Sequence, residues 1–354
     1  MAVIICGEDS LMKISTNDGS IQATEHERLI KAIVALHAAQ RVGEALQLAT
    51  EASSKFSGDI TLFNLLSSLR QELIVGRTNE LIADAAQTLR RTTQTQSQML
   101  VRDILKDSKY DDPKRLERYG YCVASQNEED GMLAEVFRRI GETNRVFFEF
   151  GVGNGLQNIT FHMLLNGWQG WWIEINQPKL AFMRQYFFDA IKNGHLVIDD
   201  SHIDAENIDA VCEKLKIPHE IDLLSIDIDG NDYHVFERMS RVRARVVVLE
   251  FNPLYPPPMR LVGAYDSNYS YSDQTYIGAS LQSLSELAEN KGYQLVGTSI
   301  SGINAIFVRK DLAKDLFPTP ATPAHLYHMP RYQLSFSGGF GAGMRANFGP
   351  THST

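Results

Sequence analysis

Four oxygen-bearing side chains stand in two pairs of equal spacing. Asp227 and Asp229 close the run IDLLSIDID (221–229), and Glu250 and Asn252 close ARVVVLEFN (244–252). Residues two apart on an extended chain point to one side. Two such pairs at neighbouring strand ends would gather several oxygens around one point. Carboxylates and an amide oxygen are hard ligands, suited to Mg²⁺ or Mn²⁺, and a carboxylate can also take a proton as a general base. His202 and His234 are secondary candidates for proton transfer, each with an ordinary reading as a structural hydrogen-bonder. Asp232 has a plain reading as the cap of a helix starting near Tyr233.

A second constellation is Glu149-Phe-Gly151-Val-Gly153-Asn154-Gly155. Glycines there let a backbone turn tightly and approach a ligand closely. The dinucleotide fingerprint would require glycine at 156, where this chain has Leu156. Glu174 ends the next apolar run, and Asp199 with Asp200 ends the one after. A carboxylate at a strand end can accept hydrogen bonds from both hydroxyls of a ribose. Three successive strand ends thus fit one nucleoside-shaped ligand.

The elements that must hold these groups are short and apolar. VFFEF (146–150), GWWIEI (170–175), HLVIDD (195–200), IDLLSIDID and ARVVVLEFN alternate with helical segments, one closing on Gly167 and another on Gly194. Near-continuous apolar strands separated by helices predict a parallel sheet covered on both faces. Trp168, Trp171 and Trp172 fall to its core. YQLVGTSI (293–300) and NAIFVRK (304–310) predict a terminal antiparallel hairpin. FNPLYPPPMR (251–260) with Tyr265, Asp266, Tyr269, Tyr271 and Tyr276 reads either as a sugar-stacking acceptor loop or as an ordinary covering loop.

Upstream the grammar is helical. Leu29, Ile30, Ile33 and Leu36, then Ala45, Leu46, Leu48 and Ala49, then Leu62, Leu65, Leu66, Leu69 and Leu73 keep three/four spacing. They predict a helical hairpin turning at Ser57–Asp59, with a further helix over 78–89 and the domain boundary near the polar stretch Arg90–Gln98. The division expected is a leader over 1–24, a helical module over 25–100, an α/β domain over 101–317 and a Pro/Gly-rich extended tail over 318–354. An amphipathic hairpin left alone exposes an apolar face, so the module is expected to self-associate or dock a partner.

Composition bounds the rest. With 34 Lys plus Arg against 43 Asp plus Glu, the net charge of −9 argues against a dedicated nucleic-acid binder. No window approaches a membrane span, and the start MAVIIC meets Glu8 and Asp9 without a basic region of a signal peptide. Cys6, Cys122 and Cys212 are widely spaced and odd in number, which fits reduced thiols and a cytoplasmic protein.

The alternating E-x-G-x-G-x-G resembles motif I of class I S-adenosylmethionine-dependent methyltransferases. SQNEEDGMLAEVFRRIG (125–141), IDLLSIDIDGNDYHVF (221–236) and TYIGASLQSLSELAENKGYQLVGTSISGINAIFVRKDL (275–312) resemble three further segments of the FkbM-like members. The likeness covers roughly 120–315. It departs where many members carry Asp and this chain has Asn154, and it takes in neither the N-terminal helices nor the tail. It implies a Rossmann-like class I sheet and S-adenosyl-L-methionine as cofactor, bound through Gln126, Glu149, Gly151, Gly153, Asn154, Gly155, Glu174, Asp200 and Asp227.

The resemblance also implies methyl transfer to an oxygen of a sugar, glycan or glycosylated small molecule. An alcohol at neutral pH needs a base or a metal to give up its proton. The acid cluster resembles that of metal-dependent macrocin-type sugar O-methyltransferases. By that likeness Asp227, Glu250 and Asn252 hold a divalent ion and Asp229 is the base. Asp227 has a second reading, lining only the methionine end of the cofactor. The alternatives are N-methylation of a small amine, without metal, and a non-catalytic binding protein docking through its helices.

Overall fold

The structure, a computed structural model, describes residues 20–267, 278–332 and 334. The chain divides into two compact units, residues 1–89 and 90–354. In the first, α1 (Ser20–Ala38), α2 (Val42–Lys55) and the start of α3 (Ile60–Ile104) meet through Ile33, Ala45, Ala49, Leu62, Leu66 and Leu69. Small alanines on α2 let the helices approach closely. Asp59 accepts the Leu62 N–H at 2.8 Å and so starts α3. The expected hairpin is present, but the separate helix over 78–89 is not. One 45-residue helix runs through it and through Arg90–Gln98. Polarity alone does not stop a helix: that stretch has neither proline nor glycine, and a lone interior glycine, Gly76, costs only about 1 kcal/mol.

The second unit is a seven-stranded sheet of order β3-β2-β1-β4-β5-β7-β6. Its strands are β1 (Val146–Phe150), β2 (Gln169–Ile173), β3 (Leu196–Asp199), β4 (Glu220–Ile226), β5 (Arg243–Glu250), β6 (Tyr293–Thr298) and β7 (Asn304–Arg309). The first five pair in parallel, and β7 runs antiparallel to both β5 and β6. The predicted strands and closing hairpin are all present.

Alternate side chains feed two cores. Phe148, Phe150, Leu224 and Val247 face α8 (Ile208–Lys214), α9 (Asp232–Arg238) and α10 (Leu281–Asn290). Phe147, Leu223, Val246 and Val248 face α4 (Glu129–Ile140), α5 (Phe161–Leu165), α6 (Gln177–Tyr186) and α7 (Phe188–Lys192). Trp168 and Trp172 lie in this second core, and Trp171 is half-buried against the first. Short helices α11 (Lys310–Ala313) and α12 (Pro323–Leu326) follow the hairpin.

The segment expected as a loose tail is packed through its first part. Leu326 is buried, and His328 is held by Tyr110 Oη and Thr298 Oγ1, each at 2.8 Å. Proline-rich composition hid these buried anchors. Residues 335–354 and 1–19, with Cys6, lie outside the described residues, and α1 begins at Ser20, inside the leader expected over 1–24. Among the described residues no helix is long and apolar enough to cross a membrane. Cys122 and Cys212 are free thiols, both pushed up to about 12, first by burial.

Candidate active site

The glycine loop leaves β1 and turns back under the end of β4. Gly151 has φ +82°, and a β-carbon on it would stand 1.5 Å from the Asp227 carbonyl oxygen. Gly155, at φ +77°, sits 2.8 Å in the same sense from Trp172. Neither position admits a side chain. Gly153 faces open space. Asn154 is exposed, with its Oδ1 accepting the Leu156 N–H at 3.1 Å.

Glu149 is not turned to a ligand. It is buried and accepts from Asn158 Nδ2 at 2.6 Å, Ile159 N at 2.9 Å, Thr160 N at 3.0 Å and the Thr160 hydroxyl. Burial pushes its pKa up against those bonds. Its carboxylate therefore shapes the loop from below.

Glu174 follows β2 at the loop's edge. One carboxylate oxygen accepts the Asn176 N–H at 2.9 Å, and the other lies 3.8 Å from Lys179 Nζ. Its orientation is therefore fixed. Asp199 is taken up by Ser201 N at 2.8 Å and Lys214 Nζ at 3.2 Å, whereas Asp200 is exposed. Gln126 is exposed, but the rest of its motif is spent internally. Asp130 Oδ2 accepts Val123 N and Ala124 N at 2.6 Å and Ser125 N at 3.0 Å.

Asp227, Asp229 and Glu250 converge. Each offers an oxygen within 4.8 Å of the others. The reason differs from the expected one, because β4 ends at Ile226 and the chain then turns. Asp229 has φ +59°, a left-handed residue of the kind Asp tolerates. Asp232 does not cap α9. Its carboxylate accepts Ile228 N at 2.8 Å and Gly230 N at 2.9 Å, knotting the turn that aims Asp229. Asp227 lies well above the usual carboxylate range, through burial first and then repulsion from Glu250, Asp232 and Asp229. Asp229 is raised by burial and by Asp232, with Lys179 pulling the other way.

Asn252 lies just after β5. Its Oδ1 accepts the Leu254 N–H at 3.0 Å and shapes the chain after β5. The carboxylates brought together are therefore Asp227, Glu250 and the expected base Asp229. His234 Nε2 lies 2.8 Å from the Gly263 carbonyl and packs edge-on against Tyr265. His202 is exposed, 3.9 Å from Asp204. His234 fits the structural reading of a hydrogen-bonder, and neither histidine belongs to the carboxylate group. Tyr269, Tyr271 and Tyr276 lie outside the described residues.

One neighbour of the cluster was missed. Asn304 pairs with Glu250 across β5 and β7 and donates to Glu129 Oε1 at 2.8 Å. Glu129 sits in the SQNEED segment, so the motif was visible while the contact across 175 residues was not.

No curated protein matches the chain. Among solved structures, one described as a caffeoyl-CoA O-methyltransferase from Staphylococcus aureus is 16% identical, covering 65% of this chain and 99% of that one, with a TM-score of 0.37. Magnesium protoporphyrin IX methyltransferase from Synechocystis with bound S-adenosylmethionine is 12% identical over 60% of this chain and 97% of its own, at 0.32. Residues 136–294, from α4 to the start of β6, match the family model of the methyltransferase FkbM domain. Residues 136–294 are thus similar to methyltransferase FkbM domains, and together with the glycine loop and the sheet order this match makes the chain an S-adenosylmethionine-dependent methyltransferase.

Proposed function

We propose that the protein methylates a hydroxyl oxygen of a sugar, a glycan or a glycosylated small molecule, with Asp229 as the general base. The convergence of Asp227, Asp229 and Glu250 beside the glycine loop carries this reading. The acceptor oxygen attacks the sulfonium methyl while its proton passes to the Asp229 carboxylate. The C–S electron pair returns to sulfur and leaves S-adenosylhomocysteine. Asp229 is exposed enough to meet an acceptor, and its raised pKa makes it a stronger base than an ordinary carboxylate. Glu174, fixed by Asn176 and Lys179, would accept from the ribose hydroxyls.

The cluster also fits a divalent cation. Three hard oxygens lie close together, and mutual repulsion holds Asp227 in need of a proton or a cation. Asp227 and Glu250 would hold Mg²⁺ or Mn²⁺ with Asp229 at the rim, and the bound ion would lower the acceptor's hydroxyl pKa.

A methyl-transfer screen tests the proposal. Sugar nucleotides, glycan fragments, small natural products and small amines are offered with S-adenosylmethionine, with and without chelator. Turnover on hydroxyl acceptors is expected, with loss in chelator and recovery with magnesium or manganese. Turnover on amines alone, indifferent to chelator, would favour N-methylation.

A further inference from the structure

Helix α3 carries two apolar faces. Leu62, Leu66 and Leu69 are buried against α1 and α2. Nearly opposite on the helix wheel lie Ile60, Phe63, Ile74, Val75, Leu81 and Ile82, which fall within an arc of about 120°. These are between 50% and 75% exposed. Ser67, Gln71, Thr78 and Ala85 continue the same stripe with small or neutral side chains. Between 74 and 88 the helix is exposed on every side. An isolated helical stretch of that length, with Gly76 inside it, is marginal in water, because most helical stability comes from a packed face. Among the described residues, the hairpin's own apolar face is satisfied internally, and the outer face of α3 is the one left to cover.

We infer that this outer face pairs with the same face of a second copy, the two α3 helices running antiparallel. Charge along the stripe's edge points to this occupant. Arg77 and Asp84 lie on one edge, one heptad apart. In an antiparallel pair such edge positions face each other. Arg77 then meets the partner's Asp84, and Asp84 meets the partner's Arg77. The same register sets large against small: Ile74 faces the partner's Ala85, and Leu81 the partner's Thr78. Val75 then lies beside the partner's Ile82. The one like-charged meeting, Arg70 with the partner's Arg91, falls at the outer ends, where long side chains can splay into water. The six exposed side chains offer on the order of 100 Å² each, about 600 Å² per copy. With their polar edges this approaches the roughly 800 Å² per partner of a stable interface.

Sedimentation of the full chain tests the inference. The wild type is expected as a dimer at micromolar concentration. Leu81→Asp with Ile82→Asp is expected as a monomer. Because that variant could also unfold α3, a charge exchange supplies the second arm. Arg77→Asp alone, or Asp84→Arg alone, places like charges together twice and should weaken the dimer by roughly tenfold or more. The double exchange Arg77→Asp/Asp84→Arg should restore it. A monomeric wild type would overturn the inference, whether or not it binds lipid vesicles or a different protein. Single exchanges without effect, or a double exchange that fails to restore the dimer, would overturn the antiparallel pairing.

Discussion

Gly151 and Asp227 share one point in space: a β-carbon on the glycine would lie 1.5 Å from the aspartate's carbonyl oxygen. The loop that leaves β1 and the acidic turn that leaves β4 are therefore one packed object. A change in either moves the other.

Gly151→Ala consequently meets two penalties, a left-handed φ of +82° and a backbone collision. It should destabilise the second unit by about 3 kcal/mol or more, or displace the loop. Thermal unfolding together with calorimetric titration of S-adenosylmethionine checks this. Both melting temperature and cofactor affinity should fall. A variant with neither changed would contradict the loop's packing.

Glu174→Ala should weaken S-adenosylmethionine binding by about 1–3 kcal/mol, the cost of losing hydrogen bonds to a charged group. Glu174 is buried and its neighbours fix its direction, so the lost partner has no nearby substitute. Titration of the folded variant is the test, and an unchanged affinity would remove the ribose assignment.

Buried Glu128 makes stability depend on pH. Burial first, and then Glu129 beside it, push its carboxyl up to about 8. Between the ordinary carboxylate range and that value, the folded chain keeps a proton that the unfolded chain has released. Its stabilising contribution is therefore present at low pH and is lost as pH rises towards 8. Glu128→Gln should flatten this slope. At pH 8 it should raise the melting temperature by about 2–4 °C for each kcal/mol recovered. Melting curves from pH 5 to 8 decide it, and an unchanged slope in the variant would contradict the shift.

The sheet was legible because strands such as VFFEF and ARVVVLEFN are apolar on both faces and are separated by helical segments ending on glycine. The acid cluster was legible as residues but not as geometry. Equal spacing suggested an extended chain, whereas a left-handed Asp229 and the Asp232 knot bring the carboxylates together. The local hydrogen bonds of Glu149 and Asn252 were hidden for a related reason. Short polar side chains at strand ends often serve their own backbone, and sequence does not show which donors lie nearby. The length of α3 was missed because polar residues were read as a break, although nothing in them forbids a helix.

The central claim is that Asp229 takes the acceptor's proton beside a bound S-adenosylmethionine. Its most direct test is the turnover of Asp229→Asn, measured with cofactor affinity on the same sample and an acceptor identified by the screen. The substitution preserves shape and removes the charge. Turnover should fall about 10²–10⁴-fold, the usual range for a lost general base, while cofactor affinity stays within about threefold of wild type. Full turnover in Asp229→Asn would contradict the claim.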